Sequence, residues 1–170
     1  MLRPYLVLGW TMKIRRQARI VALQTLFEVS CVGHDVQTVL RERLEETQLP
    51  PEGAAFAEAL VRGVIAHQAQ LDDILQEVAP QWPLAQMARV DVNILRIALF
   101  EIVVDRQTPV KVAINEAVDL AKLFGSDASG RFVNGVLGTV VKKVRESGAR
   151  ESGNQESGNQ EIRESGNQAS

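Results

Sequence analysis

The chain has 170 residues, 45% apolar and 24% charged, with a formal net charge of −2; these are the proportions of a soluble globular protein long enough for one well-buried core. A single cysteine, Cys31, excludes an internal disulfide, and with only His34 and His67 beside it the chain offers no convincing metal site. No apolar run approaches the ~18 residues that span a membrane, and LVLGW is too short for a secretory leader, so the expected setting is cytoplasmic.

The first 27 residues carry Arg3, Lys13, Arg15, Arg16 and Arg19 and no acid, whereas residues 28–144 hold 16 acids against 11 bases. A basic head on an acidic body suggests an anion-binding patch plus a surface for something basic. Residues 1–11 read as an extension that is disordered, with the domain beginning at Met12. From there Ile14, Ala18, Val21, Ala22, Thr25 and Val29 repeat at helical spacing, predicting a helix over 13–30. Asp35 caps a second helix that runs to about Thr47 and ends before Pro50 and Pro51. AAFAEALVRGVIAHQ gives a third, and Leu71 to Val78 a fourth, before PQWPL.

Residues 86–105 are the strongest core candidate, with Val90, Ile94, Ile97, Ala98 and Ile102 on one side. Thr108 followed by Pro109 reads as a capping hydroxyl and a first-turn proline for a helix that stops at Gly125. A last helix runs from about Ser129 to Val144. No run alternates with period two over strand length. The predicted fold is therefore all-α: a compact domain of about seven helices over 12–145, in two three-helix-type units meeting near PQWPL. From Glu146 on, ESGNQ recurs with almost no apolar residue, so 146–170 are expected to be disordered.

No enzyme signature is present: no phosphate-cradling glycine loop, HExxH, CxxC or GxSxG occurs. Glu116 and Asp119, three apart on one helix, form either an acid pair or an ordinary solvated face. The basic head is more informative. On a helix Arg15, Arg16 and Arg19 fall within an arc of about 100°, and arginines in a first turn oppose the macrodipole by about 0.3–1 kcal/mol each. A docked phosphate relieves that conflict; a solvated basic turn is the plainer alternative. In GRFVNGVLG, Arg131 and Phe132 either grip a phosphate and stack a base or belong to surface and core. Gly135 and Gly138 suggest close approach to a helix or a ligand.

RRQARIVALQTLF, RVDVNILRIALFEI, PVKVAINEAVDLAKLFG and RFVNGVLG, in that order, resemble the blocks of the NusB family over roughly residues 12–144. The resemblance implies an all-helical protein with no enzymatic activity and no cofactor. Its expected function is transcription antitermination: binding boxA RNA together with NusE, a ribosomal small-subunit protein, and acting with RNA polymerase and other Nus factors at ribosomal RNA operons. By motif position, Lys13, Arg15, Arg16, Gln17, Arg19, Arg131 and Phe132 would contact RNA. Phe27 and Asp91 would face the protein partner. Ala128 stands where the family often has an acid, and the head and the ESGNQ tail lie outside its pattern. A self-associating module, with a homodimer covering the basic surface, is the alternative. Four or five neutralised phosphates predict a log–log salt slope of about −3 on single-stranded RNA.

Overall fold

The computed structural model describes the backbone of residues 4–164 and the side chains of residues 9–148. Among the described residues there are seven α-helices and no strand: α1 (Pro4–Val32), α2 (Val36–Thr47), α3 (Pro51–Ala66), α4 (Gln68–Val78), α5 (Arg89–Leu99), α6 (Val110–Phe124) and α7 (Ser129–Glu164). The chain divides into two compact units, Met1–Leu137 and Gly138–Ser170, and every residue of interest lies in the first. The helices group in two sets, α1 with α2 and α3, and α5 with α4 and α6; α5 also packs on α1 and α3, so the two sets share one core. Ala18, Val21, Leu60, Val61, Leu71, Leu75, Ile94, Leu95, Ile97 and Leu99 are all at most 2% exposed in it, each leucine or isoleucine contributing about 1.5–3 kcal/mol of burial.

Local chemistry explains most boundaries. Gly33 ends α1 at φ 76°, a left-handed conformation that glycine adopts without strain. Asp35 caps α2 as expected, its carboxylate accepting from the Thr38 amide and hydroxyl, both at 2.9 Å. The expected third helix begins at Pro51, directly after Pro50 at its cap. The expected continuous helix over 86–105 is split: a 3₁₀ turn at Leu84–Gln86, then α5, then a π-helical segment, Phe100–Asp105, closed by the Arg106 amide donating to Glu101 O at 3.0 Å.

Thr108 does not cap α6. Pro109 occupies that position without a side-chain cap, and the Thr108 hydroxyl donates instead to the buried Glu101 carboxylate at 2.8 Å. An interior carboxylate claims the donor because leaving it short of partners costs more than an uncapped, solvated helix end. A Cβ added at Gly135 would meet nothing within 4 Å, so no neighbouring helix among the described residues requires the glycine there.

The expectation of disorder falls on residues 1–11 and 146–170, and helical backbone covers part of both stretches. Residues 4–11 are the opening turns of α1, and α7 continues through the ESGNQ repeats to Glu164. Extending a helix that has already nucleated adds a hydrogen bond per residue without a new nucleation cost, and no proline interrupts either stretch beyond Pro4. Residues 1–3 and 165–170, also part of those expectations, lie outside the described residues.

Candidate nucleic-acid interface

Because α1 begins at Pro4, Arg15 sits eleven residues into the helix, about 16 Å along its axis. The macrodipole acts within the first turn, so the arginines do not oppose it. The question raised by their placement is answered instead by their partners, which differ for each one.

Arg19 is buried at 3% exposure and forms a two-pronged ion pair with Glu101, itself 1% exposed: Nε donates to Oε2 at 3.0 Å and Nη2 to Oε1 at 2.7 Å. With the Thr108 hydroxyl as a third donor, the carboxylate is well satisfied in the interior. The contact joins α1 to the π-helical segment, 82 residues away in sequence. Arg19 therefore braces the fold, and its guanidinium is engaged inside the protein.

Arg16 is half-exposed and grips α6. Its Nε and Nη2 donate to the two oxygens of Glu116 at 3.0 Å each, and Nη2 also reaches Asp119 Oδ2 at 2.8 Å. The hydrogen bonds to Glu116, chiefly, hold the guanidinium protonated even more firmly than usual. Glu116 and Asp119 are thus receptors for an arginine, which accounts for their pairing on one helix face.

Lys13, Arg15 and Gln17 remain exposed, with no carboxylate partner among the described residues. The Arg15 guanidinium lies 4.7 Å from the Phe56 ring centroid, on the same ring that Arg19 approaches at 5.1 Å. A cation over an aromatic face keeps its N–H edges available, so Arg15 is oriented yet free to donate. The α1 arc resolves into one buried brace, one ion-paired arginine and one presented arginine beside an exposed lysine and glutamine.

Arg131 and Phe132 lie on the first turn of α7. Arg131 is exposed, and Phe132, half-buried, meets Trp82 edge-to-face with centroids 6.2 Å apart and planes at 70°. None of the ion pairs or ring contacts among the described residues joins this pair to the arginines of α1. Phe27 is 37% exposed on the distal half of α1, whereas Asp91 is 7% exposed in the first turn of α5, where the helix dipole favours a carboxylate. One Asp91 oxygen, Oδ1, is buried without a hydrogen-bond partner, so Asp91 is not a surface charge.

Three residues that complete this picture escape a sequence reading: Phe56, Glu101 and Trp82. Only Trp82 carries a local signal, an aromatic set in PQWPL. Among the described residues no group of three His, Cys, Asp or Glu side chains is placed to hold a metal, and no helix is long and apolar enough to cross a membrane.

The site is thus an exposed Lys13, Arg15 and Gln17 on an all-helical body, with Arg19 ion-paired to Glu101 beneath them. The NusB family model matches residues 16–142. The chain is 56% identical over 135 residues to the transcription antitermination protein NusB of Roseiflexus castenholzii, covering 78% of this chain and 95% of that one. It is 40% identical over 134 residues to the protein of the same name from Desulfitobacterium hafniense, covering 78% and 90%. Among solved structures it is similar to T. maritima NusB (TM-score 0.70, 32% identity, 75% of this chain and 90% of that one). It is also similar to a chain in the structure of the antitermination factors NusB and NusE in complex with dsRNA (TM-score 0.72, 25% identity, 78% and 98%). The chain belongs to the NusB family, a family of transcription antitermination proteins and not of enzymes.

Proposed function

We propose that this chain is a cytoplasmic antitermination factor that binds boxA-type single-stranded RNA together with NusE and acts with RNA polymerase and other Nus factors at ribosomal RNA operons. The observation that carries the reading is the α1 face: Lys13 and Arg15 are exposed without carboxylate partners among the described residues, and Arg15 is held in place on Phe56. These two supply phosphate contacts, Gln17 supplies a neutral hydrogen-bonding group, and Arg131 adds a cation beside Phe132. Arg16 joins by exchanging the carboxylates of α6 for a phosphate. Arg19 supports the surface from beneath, through Glu101. A similar solved chain is in complex with NusE and double-stranded RNA, which supports RNA and NusE as the partners; Phe27 and the start of α5 around Asp91 serve the protein side in this reading. The excess of acids over residues 28–144 suits a basic ribosomal partner.

The test is a titration of a boxA-like oligoribonucleotide against a scrambled one of equal length, with and without NusE. The reading expects tighter binding of the boxA-like strand, strengthened by NusE; equal binding of the two strands under both conditions refutes it. A second reading is self-association through α6, where Leu123 is 65% exposed and Val110, Val112 and Phe124 are 37–38% exposed. Light scattering separates the two: a dimer that RNA cannot dissociate or bind favours the second.

A further inference from the structure

Trp82 is the largest side chain that the described structure leaves open on a well-held loop. It is 52% exposed, between Pro80 and Pro83. Its loop is fastened from α4: Gln76 Nε2 donates to the Trp82 carbonyl at 3.1 Å, the Gln76 side-chain carbonyl accepts from the Leu84 amide at 3.4 Å, and the Trp82 amide donates to Ala79 O at 3.0 Å. Two prolines and three hydrogen bonds restrict the backbone on both sides of the ring. Burial alone does not explain such a ring, since half of it stays in water.

The ring's one aromatic neighbour is Phe132, which it meets edge-to-face. With that neighbour in place Trp82 is still 52% exposed, and Arg131, which precedes Phe132, is an exposed cation without an ion-pair partner among the described residues. A held, half-exposed ring and an exposed guanidinium on the helical turn that backs it are the groups that hold an unpaired nucleotide: the ring stacks the base and the cation takes its phosphate. A double-stranded ligand keeps its bases stacked on one another and has none to offer.

We propose that Trp82, oriented by Gln76 and backed by Phe132, is a base-stacking residue that receives one unpaired base of a single-stranded RNA, with Arg131 on the adjoining phosphate. The proposal rests on the RNA reading above and adds to it a residue and a preference for an unpaired base.

The chain has two tryptophans, Trp10 and Trp82, so the variant Trp10→Phe reports on Trp82 alone. Indole emission and the anisotropy of a labelled boxA-like strand are followed in one titration. Stacking predicts saturable quenching of Trp82 that tracks the anisotropy change. It also predicts that Trp82→Ala weakens binding by roughly 5- to 100-fold, while Trp82→Phe keeps most of the affinity. Circular dichroism and a thermal melt of each variant show whether it is folded, and the quenching in the Trp10→Phe background decides the matter even if Trp82→Ala is not. An anisotropy change without quenching, at unaltered Trp82→Ala affinity, overturns the stacking role and leaves the RNA reading standing. No anisotropy change at all overturns both.

Discussion

Replacing Arg19 by alanine separates a structural arginine from an RNA-binding one. In the variant Glu101, 1% exposed, keeps only the Thr108 hydroxyl and loses both charge-assisted bonds from Arg19, at 3.0 and 2.7 Å. Removing one partner of a buried ion pair costs about 3–5 kcal/mol because the other charge is left uncompensated. For a domain of this size each kcal/mol moves the melting temperature by about 2–4 °C, so Arg19→Ala should melt roughly 6–20 °C lower. The double variant Arg19→Leu, Glu101→Leu removes both charges and should recover most of that loss. Below the melting range, Arg19→Ala should bind RNA within about twofold of the wild type, the size of effect expected where no direct contact is lost. A thermal melt and an anisotropy titration on the same samples check both. An Arg19→Ala protein that melts like the wild type yet loses RNA binding as severely as Arg15→Ala would refute the assignment of Arg19 as a brace.

Freeing Arg16 by Glu116→Gln with Asp119→Asn removes ion pairs in which Arg16 and Asp119 are half-exposed and Glu116 is buried; at about 0.2–1 kcal/mol for the exposed part, RNA binding at low salt should tighten by roughly 1.5- to 5-fold, which titration of the double variant reads directly. At Gly63 an added Cβ would run into the Phe100 ring, and overpacking of this kind costs about 1–3 kcal/mol, to be read by urea unfolding of Gly63→Ala. The Asp35 carboxyl is held below its usual range, first by the Thr38 amide. A carboxyl lowered on folding adds stability that is present above its unfolded pKa and is lost as pH falls through the folded value. The Glu28 carboxyl, lowered first by its hydrogen bond with His34 and next by that with Arg43, has the same sign. The stability advantage of the wild type over Asp35→Asn should therefore shrink as pH falls below about 4, measured by melts across that range.

Helix boundaries were legible wherever the controlling group is local. Asp35 accepts from Thr38 three residues away, Gly33 turns its own backbone, and Pro51 opens α3 by its own ring geometry. The split of 86–105 was hidden, because the π-helical closure at Arg106 changes the register of a pattern that reads as uniformly apolar. Thr108 was misread for a related reason: the carboxylate that claims its hydroxyl lies seven residues back, on a segment whose inward turn no periodicity announces. The arginines show the limit most plainly. Arg15, Arg16 and Arg19 share one arc by spacing, yet Glu116 and Glu101, 100 and 82 residues distant, decide that one is paired and one is interior. The acid-free character of the head could locate the candidate surface; only tertiary contacts could say which cations it presents.

The measurement closest to the centre of this account is the salt dependence of binding to a single-stranded boxA-like RNA, for the wild type and for Lys13→Ala, Arg15→Ala. Phosphate contacts from Lys13, Arg15, Arg16 and Arg131, at about 0.7 per contact, predict a log–log slope near −3 for the wild type. Loss of two of them predicts a slope shallower by about 1.4 in the double variant. A wild-type slope near zero, or one that the double substitution leaves unchanged, would contradict the assignment of the α1 face as the RNA-phosphate site.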